Sequence, residues 1–304
     1  MFFIYQFTIS LVALISPFII FFRILKNKEH PKRFKEKFCF FSKKRKKGKL
    51  VWFHGASVGE ILSIIPLVEQ LEKNEKIKQI LITSNTLSSS NIITNLRLTK
   101  TIHQFFPIDT IYHTKKFLRF WNPTIAIFID SEIWPNMIIN IKKKKIPLIL
   151  LNARITKKSF LRWTKFISFA KKLFQNFDIC LASNLKSKKY LKTFGVKKIK
   201  FIGNLKFSQR EKDENYINSH TVKSLLSRRL WCASSTHKTE EKYCGITHKK
   251  LKLKYKDLLT IIIPRHINRI PSILNEMEKL NLKVKMDSSK TKIDKNTDIY
   301  LVDS

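Results

Sequence analysis

Glycine is scarce, with six in 304 residues, few for a chain that would cradle a nucleotide on flexible backbone. Cysteine is scarcer still: Cys39, Cys180, Cys232 and Cys244 show no C-x-x-C spacing. That pattern indicates neither a zinc site nor a disulfide framework, and a reducing compartment fits it. Acidic residues number 22 against 60 Lys and Arg, a formal charge of +38. An excess of that size would suit a nucleic-acid binder. The cations are mostly Lys, however, spread along the chain among abundant Ile, Asn and Phe, as an A+T-biased coding sequence would produce. The charge is therefore discounted as a functional signal, and no nucleic-acid partner is expected. Phosphate-binding stacking platforms would interleave aromatics with cations on one face. Here the Phe residues fall inside apolar runs and read as core.

Charge is absent altogether from Met1 to Phe22. A run of this length in a helix reaches across a hydrocarbon core of about 30 Å, so 1–22 is expected to be a membrane-anchor helix, single-pass or embedded. A cleavable signal would need a basic start and a small-residue cleavage site, and neither precedes Arg23. The cations Arg23, Lys26, Lys28, Lys32 and Arg33 follow the run, which by the positive-inside rule places the remaining chain in the cytoplasm. Residues 23–48 read as a basic juxtamembrane linker. The basic run Lys43–Lys49 at its end suits anionic headgroups or, equally, a solvated linker.

Apolar residues make up 43% of the chain, ample for packed cores in two domains of ordinary size. Apolar runs at Leu50–His54, Ile77–Thr83, Ile125–Ile129, Ile146–Leu151 and Ile179–Ala182 alternate with helical stretches. This argues a parallel, doubly wound α/β sheet over 49–207. The polar run 208–220 reads as a linker. A second series over 221–304 repeats the pattern: a strand at Leu230–Ala233, a turn at Ser234–His237, a helix at Lys238–Lys250 and a strand at Leu258–Ile263. The turn Pro264-Arg265-His266 follows, with strand-like stretches at Leu282–Met286 and Asp298–Asp303. After Lys206 there is room for roughly three βαβ units of about 30 residues each.

The junction VWFHGASVGE, Val51 to Glu60, stands out. A buried-strand pattern stops at a Gly/Ser turn, and a helix begins with a carboxylate. In open α/β sheets ligands sit outside the carboxyl ends of the strands, where loop N–H groups and helix N-termini face the crevice. Ser57-Val-Gly-Glu60 also fits the capping box, in which Glu60 only satisfies the helix N-terminus. A second apolar strand, Ile125–Ile129, ends in Asp130 and Glu132, and two carboxylate-tipped strands in one domain suggest one acidic site. Ser234–His237 could offer N–H groups to an anion if it opens a helix, or serve only as an N-cap.

Seven segments in register, HGASVGE (54–60), FPID (106–109), DSEIWPN (130–136), LNARITKKS (151–159), GNLKF (203–207), ASSTHKTEE (233–241) and PRHINR (264–269), resemble one family over nearly the whole chain. It is the 3-deoxy-D-manno-octulosonic acid (Kdo) transferases, the lipid IVA Kdo transferases of lipopolysaccharide inner-core synthesis. The resemblance implies a GT-B glycosyltransferase: two Rossmann-like domains facing a cleft, the first binding the acceptor lipid and the second CMP-Kdo. It implies transfer of Kdo with inversion to the lipid A precursor at the cytoplasmic side of the inner membrane, with no metal or cofactor. Glu60 then corresponds to the general base, Lys206 and Asp130 to transition-state stabilisers, and Pro264 and Arg265 to donor-binding positions. Ser57, Gly59, Glu132, Ser235 and His237 are further candidates. The family has Glu-Thr-Glu where this chain has Asp130-Ser131-Glu132. Family members also continue into a Gly-Gly-His-Asn-type segment with a following Glu, so the second domain is expected to be incomplete. Two alternatives stay open: an inactive, shortened remnant, or one half of a split enzyme whose partner chain supplies the segment. A third, from another class, is a basic membrane-tethered nucleic-acid-binding protein.

Overall fold

Strands covered by crossover helices on both faces must be apolar on both sides, and the first strand, β1 (Lys49–His54, KLVWFH), is buried from Leu50 onward. Leu50 and Trp52 enter one core with Phe117 and Phe128, whereas Val51 and Phe53 enter a second with Ile61, Ile64 and Ile80. The structure, a computed structural model, describes residues 1–96, 98–208, 225, 227–289 and 293–303. Two units divide it, Met1–Arg210 and Glu211–Ser304. The expected linker 208–220 lies, Ser208 apart, outside the described residues.

Unit 1 builds a sheet from β1, β2 (Ile77–Ser84), β3 (Thr101–Phe105), β4 (Ile125–Ile129), β5 (Leu148–Ala153), β6 (Ile179–Ala182) and β7 (Ile199–Phe201) in the order β3-β2-β1-β4-β5-β6-β7. Every pairing is parallel. The helices are α1 (Phe2–Leu25), α2 (Val58–Glu72), α3 (Leu87–Asn95), α4 (Ile111–Trp121), α5 (Pro135–Lys143), α6 (Lys157–Thr164), α7 (Ile167–Phe174) and α8 (Leu185–Thr193). Side-chain N-caps at Ser57, Thr86, Thr110, Thr156 and Asn184 set where α2, α3, α4, α6 and α8 begin, each accepting a backbone N–H three residues on.

Two features depart from the sequence reading. β3 has no apolar run, because His103 and Gln104 are polar yet buried. Residues 23–48, expected as a linker, carry a 3-10 helix over Arg33–Phe38 packed onto unit 1. Glu36, 1% exposed, receives Arg33 Nε at 2.8 Å and Nη2 at 3.1 Å, the Phe105 N–H at 2.9 Å and the Ser42 hydroxyl. Phe41 stacks on Phe120 with ring centroids 3.8 Å apart. A buried carboxylate with four donors ties this stretch down, while its many lysines make it look like solvated chain.

Unit 2 is a parallel sheet in the order β10-β11-β9-β8, from β8 (Leu230–Thr236), β9 (Leu259–Pro264), β10 (Val284–Met286) and β11 (Ile299–Leu301). It carries α9 (Glu240–Lys254) and α10 (Ile270–Lys279). Ile262, Ile273, Met277 and Leu301 fill its core. The expected turn at Ser234–His237 is mostly strand: β8 runs to Thr236, with irregular register between Ser234 and Thr236 and Ser235 at φ 59°. Helix α9 starts only at Glu240, so these residues are not a helix N-terminus offering N–H groups to an anion.

Candidate active site

The strand order of unit 1 reverses between β1 and β4. At such a switch point the two flanking loops part and leave a crevice outside the strand ends. Glu60 stands on the first turn of α2, just after β1, while Asp130 and Glu132 follow β4. The capping box is realised: Glu60 Oε2 accepts the Ala56 N–H at 2.7 Å, Oε1 accepts the Ser57 hydroxyl at 2.9 Å, and Ser57 Oγ accepts the Glu60 N–H at 3.3 Å. The same bonds hold the carboxylate at the mouth of the loop, so capping and presentation are one arrangement. Burial raises the Glu60 carboxyl above its ordinary value; the Ser57 and Ala56 bonds oppose the rise, and the charges of Glu132 and Asp130 add to it.

Asp130 adopts the left-handed conformation, φ 56°, which turns the chain sharply off β4. Its Oδ1 accepts from Asn152 Nδ2, and Asn152 Oδ1 accepts the Leu205 N–H at 3.1 Å. Asn152 thereby ties the Asp130 loop to the segment bearing Lys206. Burial raises the Asp130 carboxyl, against the pull of Asn152, Lys206 and Arg154. Glu132 goes the other way: burial alone would raise it, but the neighbouring His54 imidazole and the hydrogen bond from Trp134 outweigh burial and hold it below the ordinary carboxylate range. Its Oε2 accepts Trp134 Nε1 at 2.8 Å and lies 3.2 Å from His54 Nε2. Neighbouring carboxylates in this one cluster are thus pushed in opposite directions by their surroundings.

Lys206 reaches this cluster from the other side. A Cβ placed on Gly59 would lie 3.4 Å from Lys206 Nζ, which puts the ammonium beside the first turn of α2. A cation there opposes the helix dipole, and the negative charge of Asp130 nearby offsets it. Ser57, Gly59, Glu60, Asp130, Glu132 and Lys206 therefore share one locality. His54, fully buried, was part of a motif but not among the expected site residues. Its Nδ1 lies 3.0 Å from Thr83 Oγ1, and its ring stacks on Phe106 at 3.8 Å. An imidazole ending an apolar strand was the available signal; Asn152 lay in the motif LNARITKKS (151–159) but was likewise not among the expected site residues.

Asp109 sits apart and has a structural task. It is buried and accepts the Asn136 N–H at 2.9 Å, the Met137 N–H at 2.8 Å and the Tyr5 hydroxyl at 2.7 Å. The first two bonds satisfy the N-terminus of α5 from a distance. Burial pushes its carboxyl up to about 7 even against the lowering effect of these bonds.

In unit 2, Ser235, His237, Pro264 and Arg265 gather at the carboxyl ends of neighbouring strands β8 and β9. Pro264 pairs with Thr236, the Arg265 N–H donates to Thr236 O at 2.9 Å, and the His237 and His266 rings lie 6.1 Å apart. The Arg265 side chain is exposed. Arg269 instead forks onto the buried Glu241 at 2.8 and 2.9 Å, and Thr236 Oγ1 donates to Glu241 at 2.9 Å. Arg269→Ala is expected to cost unit 2 about 1.5–3 kcal/mol, the range for a hydrogen bond to a charged group. Arg265→Ala, by contrast, changes stability by less than about 0.5 kcal/mol. Thermal unfolding of the two variants measures the contrast. Among the described residues no group of three or more His, Cys, Asp or Glu is placed to hold a metal ion.

A family model described as 3-deoxy-D-manno-octulosonic-acid transferase (kdotransferase) matches residues 32–209. The chain belongs to the Kdo transferase family. Relatives include the 3-deoxy-D-manno-octulosonic acid transferase of Rickettsia felis, 34% identical over 255 residues, covering 84% of this chain and 55% of that one. That of Rickettsia bellii is 33% identical over 304 residues, covering 98% and 72%. A probable mitochondrial 3-deoxy-D-manno-octulosonic acid transferase of Arabidopsis thaliana is 31% identical, covering 99% and 70%. The chain spans about half the length of the Rickettsia felis relative. Among solved structures, UDP-GlcNAc 2-epimerase from Neisseria meningitidis bound to UDP-GlcNAc superposes with TM-score 0.57 at 15% identity, over 84% of this chain and 72% of that one. A putative UDP-N-acetylglucosamine 2-epimerase from Listeria monocytogenes gives 0.56 at 14%, over 84% and 68%. These likenesses concern the fold alone, and the fold class of this Kdo transferase family member is α/β, GT-B-like.

Proposed function

We propose that this Kdo transferase family member moves Kdo from CMP-Kdo to the lipid A precursor in lipopolysaccharide inner-core synthesis, on the cytoplasmic side of the inner membrane. The observation that carries the reading is the half-buried Glu60 carboxylate, fixed at the switch-point crevice beside Lys206 and Asp130. An acceptor hydroxyl attacks the anomeric carbon of Kdo; its proton passes to Glu60, the new C–O bond forms, and the bond to CMP breaks with its electron pair leaving on the phosphate. Attack opposite the departing CMP inverts the anomeric centre. Asp130 and Lys206 stabilise charge that develops during the step, and Arg265, with Pro264 shaping its backbone, offers a planar cation to the nucleotide phosphate. The reaction uses the two substrates without a cofactor.

The base must be ionised to accept the proton. Transfer is expected to rise with pH along an acid limb centred above the ordinary Glu value of about 4.3, because burial raises the Glu60 carboxyl. The experiment is transfer of radiolabelled Kdo, with CMP-Kdo generated in the assay, to a tetraacyl lipid A precursor by the 304-residue chain in detergent across that pH range. Labelled lipid with this limb supports the reading. No labelled lipid at any pH overturns it.

A further inference from the structure

Helix α1 has mean hydropathy 2.2 over its most apolar window, enough to cross a membrane. The way it packs argues otherwise. Phe2, Tyr5, Gln6, Ile9, Ala13, Ser16 and Ile20 fall along one side of α1 and are sheltered, Ser16 and Ile20 being buried. Near the start of this stripe, Phe2 meets Phe169 of α7, the Tyr5 hydroxyl donates to Asp109, and Gln6 Nε2 donates to Asn136 Oδ1 at 3.1 Å. Beyond its far end, Glu29 accepts from both Arg23 and Lys37, and Lys37 belongs to the 3-10 helix packed on β3. From Phe2 to Ile20 a helix rises about 27 Å, nearly the thickness of a hydrocarbon core, about 30 Å. Were α1 to stand across the bilayer with this stripe docked, it would draw Asp109, Asn136 and the surrounding charged surface into hydrocarbon. Were it to undock, the buried Asp109 and Asn136 would lose the partners that α1 supplies. Phe3, Phe7, Leu14 and Phe18, on the far side of the helix, are each 70% exposed or more.

We propose that α1 is an in-plane anchor, lying lengthwise between unit 1 and one leaflet of an anionic phospholipid bilayer, with the Phe3–Phe18 face in the acyl region. Charge selects this occupant. Helices α4 and α7, beside the docking points, carry Lys115, Lys116, Arg119, Lys171 and Lys172 and no acid, while Lys26, Lys28 and Lys32 follow α1. Exposed Tyr112, on α4, and Phe166, at the start of α7, add large aromatic side chains to the same helices. An apolar face rimmed by cations is the pattern of a helix embedded about 5–10 Å into the headgroup–acyl boundary. The inference rests on the membrane location proposed above and is independent of the transfer chemistry.

The test places a cysteine at Phe3, Leu14 or Phe22 of the full chain. The background is Cys232→Ser, since Cys39, Cys180 and Cys244 are buried. Each cysteine is labelled with an environment-sensitive fluorophore and bound to phosphatidylglycerol–phosphatidylcholine vesicles carrying doxyl quenchers at shallow or deep acyl positions. An in-plane helix gives all three labels the same shallow depth, and omitting phosphatidylglycerol weakens binding at least tenfold. A deep Leu14 between two shallow ends means a crossing helix and overturns the inference while leaving membrane location intact. Failure to bind vesicles of either composition overturns both.

Discussion

Glu60→Gln is expected to lower Kdo transfer by about 10²–10⁴-fold, the contribution of a positioned general base, while the protein stays folded and still binds the lipid acceptor. The capping box makes this substitution informative. Gln keeps a carbonyl oxygen for the Ala56 N–H, now 2.7 Å from Glu60 Oε2, and its amide can donate to Ser57 Oγ, which has a lone pair to spare beside the one taken by the Glu60 N–H. The cap therefore survives and only the proton acceptor is lost. Ser57→Ala is the complementary variant: it removes the N-cap oxygen and the hydroxyl bonded to Glu60 Oε1, costs about 1 kcal/mol of stability, and keeps the carboxylate as a proton acceptor, still held by the Ala56 N–H. Transfer assays beside thermal unfolding separate the two. Wild-type turnover by Glu60→Gln, or a fall in turnover matched by Ser57→Ala, would leave Glu60 as a cap and nothing more.

The β1–α2 junction was legible because buried parallel strands write continuous apolar runs and helix starts write Ser, Gly and Glu in fixed offsets. Both signals are local. The switch point needed more: that β1 lies beside β4 is a matter of crossover order, and only the doubly wound pattern hinted at it. β3 escaped because His103 and Gln104 are polar yet buried; His103 is held by the tertiary partners Arg33 and Ser84, and no period-two or apolar pattern encodes that. The strand end at Ser234–Thr236 was misplaced because Ser and Thr favour turns locally, while pairing with β9 extends β8 through them. The bridging role of Asn152, a residue of the LNARITKKS motif, was hidden for a related reason. Its left-handed backbone, φ 55°, and its two side-chain bonds join loops that are 22 and 53 residues away in the chain. Helix α1 announced itself by lacking charge, but the stripe that docks it differs from its lipid-facing side only by Tyr5, Gln6 and Ser16, too few polar residues to show an orientation.

Residues 33–45 give the second large effect. Glu36→Ala is expected to destabilise unit 1 by about 3–5 kcal/mol, the cost of removing one partner of a buried ion pair. The alanine would leave the Arg33 guanidinium, 21% exposed, without its bidentate carboxylate, and would orphan the Phe105 N–H at the end of β3. A solvated linker would make the same change nearly silent, within about 0.5 kcal/mol. Arg33 also reaches Ser90 Oγ and His103 O, both at 2.9 Å, so its misplacement spreads to α3 and β3 as well as to the 3-10 helix. Glu36→Gln supplies the gradation: it preserves volume and one acceptor for the Phe105 N–H but loses the ion pair, and should fall between wild type and alanine. Denaturant midpoints of the three proteins measure the order. Equal stability of Glu36→Ala and wild type would return this stretch to the role of a loose tether, whereas a loss of the stated size makes it part of the sheet's edge, holding β3 in register two strands from the crevice where Glu60 stands.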